Sequence, residues 1–254
     1  MTETDDKARP GAIVITGGSS GLGAALTKHF VAQGRDVVMN YRNAERADRI
    51  AEELEAADAT GRLLPVEADV RDRAGVRAMM QQAVEQFGAL EALITSAGVN
   101  RDAPFLALTD EDWDEVVGSH LKGTFIAAQE FVRQVGEGRA SIITLGAACG
   151  LQGRLNGANF CSAKGGIFAL TKCLARELAP KIRVNCLTPS AVDTEEVRER
   201  YALGTPEGMA RVVGGIPMGR LGAHEDVVHM VESILAAEFT TGATFFVNGG
   251  EVMA

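Results

Sequence analysis

The 254-residue chain has only four cysteines, Cys149, Cys161, Cys173 and Cys186, with no C-x-x-C pair and no histidine at metal-ligand spacing. That argues against both a disulfide framework and a metal site, and leaves reduced thiols packed in a core as the simpler reading. An excess of positive charge is also missing. The formal net charge of −9 speaks against a nucleic-acid partner, because proteins that bind a phosphate backbone present a basic face. No apolar run approaches the length that spans a bilayer, so no membrane partner is expected. The opening MTETDDKARP carries no apolar signal core and reads as a frayed polar leader, residues 1–10, of a cytoplasmic protein.

What is present has ordinary globular composition, 46% hydrophobic and 23% charged, over a length that suits one large α/β domain, residues 11–254. Short β-branched runs (AIVIT, DVVMNY, RLLPVEAD, EALIT, ASIITL, IRVNCLT, ATFFV) alternate with stretches of helical period. Strict alternation with near-continuous apolar strands predicts a Rossmann-type, doubly wound parallel sheet with helices on both faces. Thr109, three residues before Asp112, is expected to cap a long helix, with Val117, Leu121, Phe125, Ala128 and Val132 on its apolar side. The helix through Phe160 is expected to bury Ile167, Leu170, Leu174 and Leu178.

ITGGSSGLG lies at the junction of the first strand and first helix. Gly17, Gly21 and Gly23 allow a diphosphate to approach the backbone, Ser19, Ser20 and Leu22 line the turn, and the helix amino terminus faces the negative charge. At the end of the second strand an acidic residue would hold the adenosine ribose hydroxyls and repel a 2′-phosphate. Here Tyr41 and Arg42 follow with no carboxylate. Arg42 is either a solvated surface residue or the fork that pairs with such a phosphate, and the pattern favours NADP(H) over NAD(H).

The stretch GANFCSAKGG places Phe160 and Lys164 four apart, on one helix face. A tyrosine there would be a proton donor tuned by the neighbouring ammonium. The ring is present and the hydroxyl is not.

Together these motifs resemble the short-chain dehydrogenase/reductase family from Ala12 to the end. TGGSSGLG matches its T-G-x-x-x-G-x-G. EADV resembles its adenine-contacting D-V at Asp69 and Val70, and TSAG stands where N-N-A-G is usual, with Ala97 and Gly98. AKGG carries the lysine of Y-x-x-x-K, PSAVDT resembles P-G-x-x-x-T with Val192 and Thr194, and TGATFFVNGG looks like its closing strand. The stretch AGVNRDAPFLALTDEDWDEVV looks like the 3-oxoacyl-(acyl-carrier-protein) reductase branch.

The resemblance implies a catalytic tyrosine, an oxyanion-holding serine, a lysine that tunes the phenol and binds ribose, and an asparagine that holds a relay water. At those positions stand Phe160, Ala147, Lys164 and His120. A positioned acid is worth roughly 10²–10⁴ in rate, and one oxyanion donor roughly 2.7–4 kcal/mol. Ser190 and Ser96 also replace a glycine and an asparagine of the family pattern. The resemblance therefore implies a pseudo-reductase that binds NADP(H) as a subunit of a homo-tetramer, or of a hetero-oligomer with an active reductase. The alternative is an enzyme on an acyl-thioester or carrier-protein substrate that uses His120, water or Lys164. His120 either supplies a proton or holds backbone where the asparagine did, and Cys149 and Cys161 are either nucleophiles or packing. Residues 194–217 resemble the family's substrate lid.

Overall fold

The computed structural model describes residues 10–253, so all of the acidic leader except Pro10 lies outside the described residues. The strands are β1 (Ala12–Thr16), β2 (Val37–Tyr41), β3 (Leu63–Glu67), β4 (Leu90–Thr95), β5 (Ala140–Leu145), β6 (Ile182–Pro189) and β7 (Thr244–Val247). They form one sheet in the order β3-β2-β1-β4-β5-β6-β7, and every neighbouring pair is parallel. Helices α1 (Gly21–Ala32), α2 (Ala44–Ala56), α3 (Arg73–Phe87), α4 (Asp110–Val117), α5 (Gly123–Gln134), α6 (Cys149–Gln152) and α7 (Ala158–Leu178) connect the first six strands. Helices α8 (Glu195–Arg200), α9 (Pro206–Val213) and α10 (His224–Ala236) precede β7.

Strand β1 shows why the apolar runs are unbroken. Ala12 and Val14 belong to a core with Met79, Met80, Ile126 and Phe131, from α3 and α5. Ile13 and Ile15 belong to a second core with Leu26, Phe30, Ile50 and Val231, from α1, α2 and α10. Both faces of the strand are dry, so both sets of alternating side chains must be apolar. Each such fully buried side chain is worth roughly 1.5–3 kcal/mol of transfer free energy.

Two helical faces differ from expectation. Thr109 does start the long helix, its hydroxyl accepting from the Asp112 amide at 3.1 Å. Of the expected side, Ala128 is buried and Leu121 and Val132 pack against cores, but the fully buried stripe also takes in Val116, His120, Thr124, Ala127 and Phe131, and Phe125 is exposed. The apolar residues there come as adjacent pairs (Val116-Val117, Phe125-Ile126, Ala127-Ala128, Phe131-Val132). Helical period cannot choose between two apolar stripes one residue apart. In α7 Ile167 is buried as expected, together with Asn159, Ala163, Lys164, Phe168, Thr171 and Ala175, while Leu170, Leu174 and Leu178 are only partly buried. The cysteines depart from a common core too, since only Cys186 is buried and Cys173 is exposed.

The sheet order positions the site. From β1 the chain winds outward through β2 and β3, and from β4 it winds the other way, so the loops after β1 and β4 diverge. A crevice opens between them at the carboxyl ends of the strands.

Candidate functional site

At that crevice the loops after β1 and β4 are laced together. Ser96 N–H donates to the Thr16 carbonyl (3.2 Å) and Ala97 N–H to the Thr16 hydroxyl (3.3 Å). Gly17 has φ +65°, and a Cβ there would lie 2.7 Å from the Ala97 Cα, so only glycine fits. Gly23 is not on the cavity wall. A Cβ on it would overlap the Gly17 carbonyl, so it serves close packing of α1 on the turn. Asn40, fully buried and missed by sequence reasoning, ties the turn to two strands. Its side chain accepts from Gly17 N–H (3.2 Å) and donates to the Ala68 carbonyl (2.9 Å). The α1 N-cap, Ser20, makes no side-chain cap bond. Among the described residues the Ser20 side chain thus leaves the first-turn amides uncapped beside the cavity wall of Ser20, Gly21 and Leu22. A narrow glycine cradle with uncapped amides fits a diphosphate.

A pocket of about 260 Å³ extends from the turn toward β2 and β3, and brings together Gly17, Ser19, Tyr41, Arg42, Asp69, Val70, Ala97 and Gly98. One expectation needs correcting here. Sequence showed no carboxylate beside Arg42, but the fold brings Asp69 to 3.9 Å from it, from the end of the neighbouring strand. Asp69 is chiefly engaged by Arg71 at 2.6 Å, whose hydrogen bonds hold the carboxyl below its usual range. Arg46, one turn into α2, is a second cation on this pocket that the motif did not reveal.

The larger cleft, about 790 Å³, is lined by Ala147, Phe160, Lys164, His120, Val192 and Thr194, so the tetrad positions do converge. His120 sits in a π-helical turn, Gly118–Lys122, between α4 and α5. Such turns often re-aim one side chain at a site. Its ring meets Phe160 edge-on at 5.0 Å and packs so closely on Gly98 that a Cβ there would overlap it. Its Nε2 lies 2.9 Å from the Val99 carbonyl, which can only accept, so Nε2 carries the proton. Nδ1 is then a lone-pair acceptor, buried and without a partner among the described residues. Burial, reinforced by Lys164 and Arg200, lowers the His120 pKa to about 3.

Lys164 is buried and donates to the Leu145 carbonyl at 2.7 Å. Desolvation lowers its pKa to about 8. Phe160 is anchored by Asn159, whose side-chain oxygen accepts the Phe160 amide (2.7 Å) while its amide donates to the Arg101 carbonyl. Burial pushes the Cys149 thiol up to about 12, with Cys161 adding to the shift, which fits packing and not a nucleophile. Ser190 donates to Glu251 at 2.7 Å. The segment foreseen as a lid contains α8 and α9, two short helices not read from the sequence. Thr194 caps the first, accepting from the Val197 amide at 3.2 Å.

Comparison with known proteins places this geometry. The model of the short chain dehydrogenase family matches residues 11–202. The 3-oxoacyl-[acyl-carrier-protein] reductase FabG of Staphylococcus aureus is 32% identical over 245 residues, covering 94% of this chain and 97% of the relative. Its counterpart from Thermotoga maritima is 30% identical over 244 residues, with the same shares covered. Among solved structures, a short-chain dehydrogenase/reductase from Brucella melitensis superimposes with a TM-score of 0.88 at 29% identity, covering 97% of this chain and 99% of that one. A dehydrogenase/reductase from Sinorhizobium meliloti gives 0.87 at 31% identity, covering 96% of each.

Proposed function

The chain belongs to the short-chain dehydrogenase/reductase family, and from that premise we propose that it binds NADP(H) but does not itself perform ketoreduction. The family binds a nicotinamide cofactor, and the chain resembles its 3-oxoacyl reductase branch. We infer that residues 11–254 act as one dinucleotide-binding domain. The glycine cradle would hold the diphosphate, Arg42 and Arg46 a 2′-phosphate, and Lys164 the nicotinamide ribose. When bound, the cofactor would supply hydride chemistry in the cleft.

The observation that carries the reading is the cleft wall around Lys164. Phe160 and Ala147 present a phenyl ring and a methyl where a phenol and a hydroxyl would serve a carbonyl oxygen. His120 does not replace them. Its proton is committed to the Val99 carbonyl, and a pKa of about 3 keeps it neutral near pH 7. That arrangement favours its role as a backbone anchor over its role as an acid.

Assembly is part of the proposal. Phe105 and Leu106 are 76% and 97% exposed just before α4, and Trp113 and Phe125 are partly exposed along α4 and α5. An apolar surface of this kind suits a subunit of a homo-tetramer or of an assembly with an active reductase. Phe168, which belongs to the same expectation, does not contribute, being buried against Ile167 and Cys186. A carrier-protein or acyl-thioester ligand remains consistent with the branch resemblance. Fluorescence titration with NADPH and NADH, with light scattering on the same sample, tests the reading. Tighter NADPH binding by an oligomer supports it, and a monomer that binds neither nucleotide refutes it.

A further inference from the structure

Around Phe160 the cleft gathers more positive charge than its neighbouring carboxylates neutralise. Arg154, Lys164 and Arg200 stand 5.2, 5.5 and 5.9 Å from the centre of the Phe160 ring. The Arg154 and Arg200 side chains are only 19% and 16% exposed. At that depth they share one carboxylate, Asp102. Arg154 grips it with a fork of 2.5 and 2.7 Å, while Arg200 comes only to 3.8 Å. The close partner of Arg200 is Glu196 at 2.5 Å, one turn earlier on α8 and half exposed, so this pair is open to solvent and to exchange for a ligand carboxylate. Lys164 meets no carboxylate among the described residues. Arg211, reaching the cleft from α9, donates to the Tyr201 carbonyl at 3.2 Å. The other carboxylates of the cleft, Glu195, Glu199 and Glu251, are exposed at its rim.

Buried cations are costly unless paired, and a guanidinium pairs best with a planar two-oxygen anion. We infer that this cleft binds a small ligand bearing a free carboxylate, held by Arg200 within the cleft and by the exposed Arg211 at its rim, with Arg154 and Lys164 behind. In this arrangement Phe160 has a positive role, because its ring faces support the guanidiniums by cation–π contact. The depressed pKa of His120, to which both Lys164 and Arg200 contribute after burial, reports the same local positive field. The neutral acyl end of a thioester would leave that field unanswered, so the group that Arg200 and Arg211 take is a free carboxylate. The inference deepens the cofactor reading and rests on it only in placing this ligand beside the nicotinamide end.

Isothermal titration calorimetry with acetoacetate, succinate, methyl acetoacetate and inorganic phosphate, with and without NADPH, tests it. One of the two acids should bind saturably, and the neutral ester about tenfold or more weaker than acetoacetate if acetoacetate is the binder. Arg200→Gln and Arg211→Gln should each weaken the acid about tenfold or more while NADPH affinity holds, which also shows that the variants fold. Arg176→Gln, sixteen residues beyond Phe160 on α7, should change neither. Equal binding of ester and acid, no saturable binding of either acid, or tighter binding of phosphate than of both would overturn the inference. Failure of the wild type to bind NADPH would instead sink the cofactor reading, with the NADPH-free acid titrations still deciding this one.

Discussion

Restoring two side chains probes the cleft most sharply. In the double variant Ala147→Ser, Phe160→Tyr, the new phenol would extend from a ring whose centre lies 5.5 Å from the Lys164 ammonium. At an effective dielectric of about 20, a charge at that distance stabilises a phenolate by roughly 3 kcal/mol, which would bring a phenol from about 10 to about 8. That is close enough to neutrality for useful acid catalysis, worth about 10²–10⁴ in rate. The serine hydroxyl would add an oxyanion donor worth roughly 2.7–4 kcal/mol. The groups act as a unit, so each single variant should gain little. The pair should accelerate NADPH-dependent reduction of acetoacetyl-coenzyme A by on the order of 10²–10⁴ over wild type. Absorbance loss at high enzyme concentration, with all four proteins side by side, measures it. A double variant that folds and binds NADPH yet is no faster than wild type would refute the reasoning.

Three further outcomes are expected. Arg42→Ala combined with Arg46→Ala should weaken NADPH by roughly 1.5–3 kcal/mol per lost charged contact and leave NADH unchanged; parallel titrations check this, and equal losses would count against a 2′-phosphate site. Lys164, lowered by burial from 10.5 to about 8, gives a pH signature. Below about 8 both folded and unfolded chains hold its proton, and between about 8 and 10.5 only the unfolded chain does, so its contribution to stability rises with pH by up to about 3 kcal/mol. Urea unfolding of wild type and Lys164→Met at pH 8 and 10 should show the difference moving in favour of wild type, and a constant difference would refute it. Gly17→Ala should cost on the order of 1–3 kcal/mol, from its left-handed backbone and the Ala97 contact, with a matching fall in the urea midpoint.

Much of this was legible in the sequence. The alternation of strand and helix and the turn at Gly17–Gly23 follow from local pattern, and the convergence of positions 120, 147, 160 and 164 was implied by the family resemblance. What was not legible depends on long-range contact. The closeness of Asp69 to Arg42 arises because β3 lies beside β2, and no local window contains both residues. The face of the long helix stayed ambiguous because its apolar residues come in adjacent pairs. Asn40 is an ordinary strand residue in sequence, and only the sheet shows it lacing the turn to its neighbours. The ring of cations around Phe160 draws on residues 154, 164 and 200, whose sequence neighbours reveal nothing of a shared cleft. Helix α8 has a single apolar residue, Val197, and α9 spans only eight residues, so both were too short to read by their period.

The central claim, that this chain holds NADPH without using it on ketones, is tested most directly by measuring binding and turnover on one preparation. Saturable NADPH fluorescence with no measurable oxidation of NADPH in the presence of acetoacetyl-coenzyme A is the result expected. Ordinary steady-state turnover by the wild-type protein, abolished in a His120→Asn variant, would contradict it.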